Sequence, residues 1–301
     1  MSMSAKRTVL PKNFNIAHDL CFAVHDILLQ FLISGQQSGV FIAKFELSDS
    51  EAESLKAYED IFDWLESAGR VVDRAQILKT NILPAVLSDM LHCIYEALQC
   101  SRKAQLNISY ILVRKPLLET LFLLESIIVN EIDFADKLAM NPLLLRPRSA
   151  GDLAGHTKRV QVVLDAIGEA TWFDAEYIAQ LRYSKTGDGF YSPCNKAMHL
   201  FTEHKDLRTE PLNINFVFSS FDAKLTQWAY LYTRLPYLLV YTMCVVEHIA
   251  KGIVPTNPEY LNDVSRRVAA LVMLWAQNFP AGYHAEPLIL ADLLWKRGGD
   301  C

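Results

Sequence analysis

Basic charge is scarce in this 301-residue chain, because 29 Lys and Arg stand against 34 Asp and Glu, giving a formal net charge of −5. Nucleic-acid-binding proteins usually show a basic surplus, so the average charge speaks against one and leaves only a local basic patch open. Glycine and proline number only 12 each. They separate long segments, which favours helices over a sandwich of short strands.

Closely spaced cysteine pairs are missing as well. The six cysteines lie far apart, at Cys21, Cys93, Cys100, Cys194, Cys244 and Cys301. A zinc finger needs two close ligand pairs, and a disulfide framework belongs to small secreted domains. The pattern therefore favours reduced thiols.

The chain also lacks a long uncharged apolar run. No signal core follows the N-terminal sequence MSMSAKRTVLPKNFN, and the apolar segment 228–250 carries Arg234, Pro236, Glu247 and His248. A membrane-spanning helix needs about 20 nearly uncharged residues. We therefore expect a buried helix in this segment, no membrane partner and a cytoplasmic protein.

What the chain does have is apolar material at helical spacing. Hydrophobic residues make up 51% and charged residues 21%, enough for a large core. The spacing predicts an all-α fold, a single compact multi-helix bundle. The predicted helices cover residues 15–34, 48–68, 72–101, 106–130, 157–168, 174–183, 222–251 and 258–277. Residues 40–47 fit a short strand as well as a loop.

Local signals support several of these boundaries. Ser48 is a predicted N-cap, and Asn257 with Pro258 is a second helix start. Pro84 and Pro116 lie inside predicted helices and indicate kinks or breaks.

The predicted organisation is a set of N-terminal accessory helices in residues 1–70 and a helical core domain in residues 71–301. The segment 141–156, NPLLLRPRSAGDLAGH, holds two prolines and two glycines and is the best candidate for an internal break.

Polar residues crowd into the stretch 182–218, between flanks that are mostly apolar. If residues 193–204 are helical, Asn195 and His199 share a face and Glu203 continues it. A carboxylate beside a histidine raises its pKa and fixes its orientation, which suits general acid–base chemistry. The same row also suits a surface or capping network, since polar pairs four residues apart are common on helices.

Metal binding fits this stretch poorly. His199 and His204 are five residues apart, which separates them by about 140° around a helix. The HExxH pattern is absent, and HLFTEH misses the inverted form HxxEH by one residue. A metal-dependent hydrolase using His199, Glu203 and His204 is thus a minor alternative, and we expect no metal and no cofactor.

Two charges on the predicted helix 106–130 need partners, because so apolar a helix is expected to be buried. Arg114 and Glu125 lie eleven residues apart, near one azimuth. They either form a polar stripe satisfied by neighbouring helices or point into the cavity that contains His199.

The hexapeptide Cys194-Asn-Lys-Ala-Met-His199 resembles the signature of the HEPN superfamily, whose helical domains occur in toxin, abortive-infection and RNA-processing proteins. The family motif is Arg, a polar residue that is often Asn, three further residues, and His. Asn195 and His199 match its last two elements, and Cys194 stands where the family has arginine. The resemblance covers about residues 75–250 and implies a HEPN-like core with additional N- and C-terminal helices.

In active members the arginine and histidine cleave RNA without metal, usually across a dimer interface. The resemblance therefore implies RNA as substrate, a homodimer or a partner protein, His199 as acid–base residue and Asn195 as positioning group. Arg182 or Arg208 would have to supply the missing charge. The alternative is a catalytically inert helical module for binding or dimerisation, with a protein or small ligand held at the same polar residues.

Overall fold

The prediction of an all-α fold is confirmed. The computed structural model describes residues 8–168, 171–185, 188–202, 209, 211–212, 214–215, 220–279 and 286–299, and these contain helices and loops but no β-strand. The α-helices are α1 Asn15–Ser38, α2 Asp49–Leu55, α3 Ile61–Ser67, α4 Val71–Arg102, α5 Leu106–Arg114, α6 Leu121–Val129, α7 Glu131–Met140, α8 Leu153–Ile167, α9 Ala175–Tyr183, α10 Tyr191–Met198, α11 Phe221–Tyr232, α12 Leu235–Lys251, α13 Pro258–Gln277 and α14 Glu286–Gly299.

Helix α12 runs through the middle of the bundle. Nearly every residue from Leu235 to Val246 is buried, so this helix is apolar on all sides. It packs against α1, α6, α8 and α11. The segment 222–251 was predicted as one helix, but it is two, because the chain turns at Thr233 and Arg234 and restarts with Pro236 in the first turn of α12.

The predicted helix 106–130 is interrupted in its middle. Residues Lys115–Thr120 form a π-helix between α5 and α6, with the amide of Leu121 bonded to the carbonyl of Pro116. Pro116 has no amide hydrogen to donate, which favours a local departure from the regular pattern. A π-turn rotates the residues after it relative to those before it, so the face shared by Arg114 and Glu125 in a regular helix is lost.

The N-terminal third departs from the prediction in two places. Ser48 caps α2 in a reciprocal capping box with Glu51, as its sequence signal indicates. The predicted helix 48–68 nevertheless ends at Leu55, and α3 starts after a second cap, Asp60. Residues 43–48 are irregular rather than a strand.

The N-terminal helices divide between two apolar clusters. Helix α1 contributes to the main core with Leu20, Val24 and Leu28. Trp64, Leu65 and Ile77 form a small separate cluster under the loop that contains Phe45. The proposed boundary at residue 70 stays a prediction.

The segment 141–156, the candidate for an internal break, is mostly helical. It contains two 3₁₀-helices, Pro142–Leu145 and Pro147–Ala150, and α8 then begins after its N-cap Asp152. Helix α4 continues through Pro84 to Arg102. Helices α7 and α14 had no counterpart among the predicted helices.

Two segments are long and apolar enough to cross a membrane by length and composition alone, namely Lys12–Ser38 and Val71–Arg102. Both contribute fully buried side chains to the main core, such as Leu20 and Met90. Core helices of globular domains pass the same test, so this is weak support for a membrane span.

Candidate functional site

Arg182, near the end of α9, is fully buried. Its Nε donates to the carbonyl of Leu117 at 2.8 Å, and its Nη2 donates to the hydroxyl of Tyr183 at 2.6 Å. Its Nη1 donates to Oε1 of Glu125 in a buried ion pair. The guanidinium is therefore held on three sides, by α6, α9 and the π-helix.

Glu125, on α6, is the acceptor at the centre of this arrangement and is also fully buried. Its Oε1 accepts from Arg182 and from the hydroxyl of Tyr241 on α12 at 2.8 Å. Within the described residues its Oε2 has no hydrogen-bond partner. Two residues that the sequence had singled out separately, Arg182 and Glu125, thus meet in the core.

The π-helix supplies the carbonyls that complete this contact. The carbonyl of Leu117 accepts from Arg182, and that of Leu118 accepts from the Tyr183 hydroxyl at 3.1 Å. In an α-helix each carbonyl accepts an amide within its own helix, whereas wide turns leave carbonyls for other donors. The π-helix next to Pro116 thus holds α9 through these two hydrogen bonds.

The charges in this region shift the pKa values of their neighbours. Burial opposes the charge of Arg182, but Glu125 overrides it and raises the arginine pKa above its usual value. Burial, followed by the charge of Glu125, raises the pKa of Tyr241 well above its ordinary value. Arg182 therefore stays charged and Tyr241 stays neutral, as a hydrogen-bond donor to Glu125.

Two residues of α8, His156 and Arg159, lie next to the ion pair of Arg182 and Glu125. The ring of His156 stacks on Tyr183 with 3.7 Å between centroids. Arg159 lies 4.1 Å from the ring centroid of Phe122 and donates to Ser126 Oγ at 2.6 Å. Burial, Arg182 and Arg159 lower the pKa of His156 to about 4, so this histidine is neutral near pH 7.

We refer to Glu125, His156, Arg159, Arg182, Tyr183 and Tyr241 as the buried polar cluster. It ties α6, α8, α9, α12 and the π-helix together from inside. Its central ion pair is closed to solvent, so its chemistry is that of a structural contact and not of a site that a substrate enters. The sequence pointed to Arg182 and Glu125, but it gave no signal for His156 or Arg159, which join the cluster only through tertiary packing.

The motif hexapeptide lies on and just after the short helix α10. Cys194 is fully buried, and burial raises the pKa of its thiol. Asn195 is half-buried and His199 is exposed. The helix ends at Met198, and His199 has an extended backbone with φ −122° and ψ 134°. The helix therefore does not reach His199, and Asn195 and His199 do not share a helical face.

The chain after α10 is organised around Asn215. Its Nδ2 donates to the carbonyl of His199 at 2.9 Å and to Thr202 Oγ1 at 2.8 Å, and its Oδ1 accepts from Thr209 Oγ1 at 3.1 Å. The amide of Asn215 donates to the carbonyl of Leu200 at 3.1 Å. We call the described residues of 199–215 the Asn215 loop, and this network gives it a defined shape.

Large apolar side chains project from this part of the molecule. Leu212 is completely exposed, and Leu200, Phe201 and Phe221 are each about 60% exposed. Leu212 also has a positive φ of 63°, a conformation that a leucine adopts at an energetic cost. The described residues of the Asn215 loop thus combine a network of polar side chains with exposed apolar side chains and one strained residue, Leu212.

Four further residues were candidates from the sequence, namely Arg114, Glu203, His204 and Arg208. Arg114 is half-buried and pairs with Glu119 at 2.9 Å. It lies on α5, which packs against α10, and its charge acts on the Cys194 thiol. Glu203, His204 and Arg208 lie outside the described residues. Among the residues that are described, no group of three or more His, Cys, Asp or Glu side chains is arranged to hold a metal ion.

Comparisons with protein-family models, with curated proteins and with solved structures gave no match.

Proposed function

We propose that this protein is a helical interaction module that associates with a second copy of itself through the surface around the Asn215 loop. One observation carries the proposal: Leu200, Phe201, Leu212 and Phe221 are more than half exposed, although three of them belong to a loop with its own hydrogen-bond network. A single exposed leucine is ordinary, whereas several strongly exposed large apolar side chains within a short stretch of chain are typical of a binding site.

The size of the surface suits a symmetric dimer. With Met198, which is 46% exposed, five large side chains are available. If a fully exposed large side chain offers about 200 Å², these five offer roughly 680 Å² per copy. Two copies would bury roughly 1,350 Å², in the lower part of the range for specific interfaces. A dimer uses the same patch twice and therefore needs no second apolar surface.

The proposal is tested by the mass of the protein in solution. Sedimentation velocity of the wild type should show a concentration-dependent dimer, and the double variant Phe201→Ser/Leu212→Ser should remain monomeric at the same concentrations. Met140→Ser is the matched control, because Met140 is 86% exposed and lies at the end of α7. A wild type that is monomeric at high concentration, or a dimer unaffected by the double variant, would contradict the proposal.

A second candidate function is metal-independent RNA cleavage with His199 as the acid–base residue, as the HEPN resemblance implies. The accessibility of His199, next to the proposed dimer surface, favours it. Arg182 is committed to Glu125 in the core, so the required positive charge would have to come from another residue.

RNA degradation by the wild type and by His199→Ala, each with and without EDTA, tests this candidate. Cleavage that persists in EDTA and disappears in His199→Ala supports it. Cleavage unaffected by the substitution excludes His199 as the catalyst, and loss of cleavage in EDTA points to a metal. A protein that dimerises but does not cleave RNA is an interaction module alone.

A further inference from the structure

A cleft separate from the Asn215 loop opens between α12 and α13. Its volume is about 400 Å³, which falls in the range of small-molecule sites. The apolar part of the wall comes from Trp172, Val240, Met243, Leu261, Val268 and Leu294. The cleft is therefore large enough for one molecule of about two fused rings and offers an aromatic and aliphatic wall.

The polar part of the cleft wall leaves a positive charge, and no negative charge, for a ligand to pair with. Glu247, Lys251, Asn262 and Ser265 all line the cleft. Glu247 already has an interaction partner. Lys251 is exposed at the end of α12 and forms no ion pair within the described residues. Asn262 and Ser265 add neutral hydrogen-bonding groups on α13, so the charge left for a ligand is positive.

We infer that this cleft binds a small aromatic or otherwise apolar anion. The ring system lies against Trp172 and the aliphatic wall, and the anionic group points to the ammonium of Lys251. Asn262 and Ser265 are placed to donate hydrogen bonds to the same anionic group or to a second polar substituent. The apolar wall supplies most of the binding free energy, and Lys251 supplies the preference for a negative charge.

Two fluorescent probes with the same aromatic framework separate these contributions. The first is 8-anilinonaphthalene-1-sulfonate, and the second is N-phenyl-1-naphthylamine, which lacks the sulfonate. The wild type should bind the sulfonate probe saturably with one probe per chain. Lys251→Met should weaken the binding of the sulfonate probe by about three- to fivefold, as expected for a partly exposed charge pair. The affinity for the neutral probe should not change.

Substitutions on α13 show whether the probe occupies this cleft and not the apolar surface near the Asn215 loop. Ser265→Trp fills the cleft and should abolish saturable binding. Ala270→Trp is the control, because Ala270 is exposed on the same helix and does not line the cleft. The Phe201→Ser/Leu212→Ser variant should bind the probe as the wild type does.

The inference is overturned if Ser265→Trp binds the sulfonate probe like Ala270→Trp, or if Lys251→Met weakens both probes equally. Circular dichroism of each variant verifies that the helical fold is retained. Since Lys251 and Ala270 are exposed, these two substitutions are expected to leave folding intact even if Ser265→Trp perturbs the packing of α13.

Discussion

Arg182 on α9 and Glu125 on α6 form an ion pair in which neither side chain is exposed to solvent. Burial of two charges is costly, and their attraction offsets the cost only with good geometry and additional hydrogen bonds. Here the π-helix supplies the Leu117 carbonyl and α12 supplies the Tyr241 hydroxyl. The pair therefore makes the position of α9 depend on the irregular turn after Pro116.

Replacing one partner of this ion pair should lower the free energy of unfolding far more than replacing both. Glu125→Leu leaves the Arg182 guanidinium buried without its counter-charge, and we expect a loss of about 3–5 kcal/mol in the free energy of unfolding. The double variant Glu125→Leu/Arg182→Met should recover a large part of this loss. Urea denaturation of Glu125→Leu, of Arg182→Met and of the double variant measures the coupling. Additive effects would mean that the two side chains do not act as a pair.

Gly189 should tolerate no side chain. A Cβ at this position would lie 2.5 Å from the backbone carbonyl oxygen of Gln180, and backbone cannot move aside as a flexible side chain does. Gly189 is also fixed by Tyr230, whose hydroxyl bonds to both its amide and its carbonyl at 2.7 Å. Gly189→Ala should therefore destabilise the protein by about 1–3 kcal/mol.

Gly252→Ala provides the comparison for this variant. A Cβ on Gly252 meets its nearest atoms at 3.4 Å, and the residue has a right-handed backbone with φ −79°. This substitution should be neutral or slightly stabilising, because alanine reduces the entropy of the unfolded chain. Thermal melts of the two variants in parallel give the result, and a similar melting temperature for both would contradict the predicted clash.

Two buried histidines should make stability sensitive to mild acid. The pKa of His156 is lowered to about 4 by burial, Arg182 and Arg159, and that of His18 is lowered to about 4 by burial and Arg102. In the unfolded chain both have a pKa near 6.5. Between these values only the unfolded state takes up the protons, so stability is retained above about pH 6.5 and falls as the pH falls towards 4.

Each histidine contributes at most about 1.4 kcal/mol per pH unit in this window. His156→Phe should reduce the slope by about one proton, because phenylalanine keeps a ring against Tyr183 but cannot be protonated. Urea midpoints at pH 7, 6 and 5 for the wild type and this variant measure the difference. Identical slopes would show that His156 is protonated equally in the folded and unfolded chains.

The parts of the structure that the sequence predicts correctly are those with local causes. Ser48 and Asn257 cap their helices because a side-chain oxygen next to a helix start accepts a nearby amide, whatever the rest of the fold does. The apolar spacing of α4 and α13 likewise identifies a helix, because one face must be buried.

The candidate site is less predictable, because it depends on contacts between distant segments. The end of α10 at Met198 has no strong stop signal, and the chain leaves the helix where the carbonyl of His199 is bonded by Asn215, sixteen residues later. The π-helix next to Pro116 and the burial of Glu125 are tertiary effects of the same kind. Their spacing of four residues would put Asn195 and His199 on one face of a regular helix. In the structure the helix ends between them, so they share no such face.

Leu212 allows a test of whether a strained backbone conformation is retained because its side chain is needed for binding. Leu212 combines complete exposure with a φ of 63°, so it neither fills the core nor relaxes into a common conformation. Glycine adopts this conformation without the steric cost, which is about 1–2 kcal/mol for other residues. Leu212→Gly should therefore leave the melting temperature of the monomer unchanged or raise it, although the more flexible unfolded chain offsets part of the gain.

The same substitution should weaken dimerisation, because it removes the most exposed apolar side chain of the proposed interface. Ala104→Gly is the control, since Ala104 also has a positive φ, 58°, but lies at the α4–α5 turn. It should relieve strain without changing the dimer dissociation constant. Sedimentation velocity and thermal melts at a fixed low concentration separate the two effects. If Leu212→Gly lowers monomer stability and leaves dimerisation intact, the strain serves the loop's own structure and not the association of two copies.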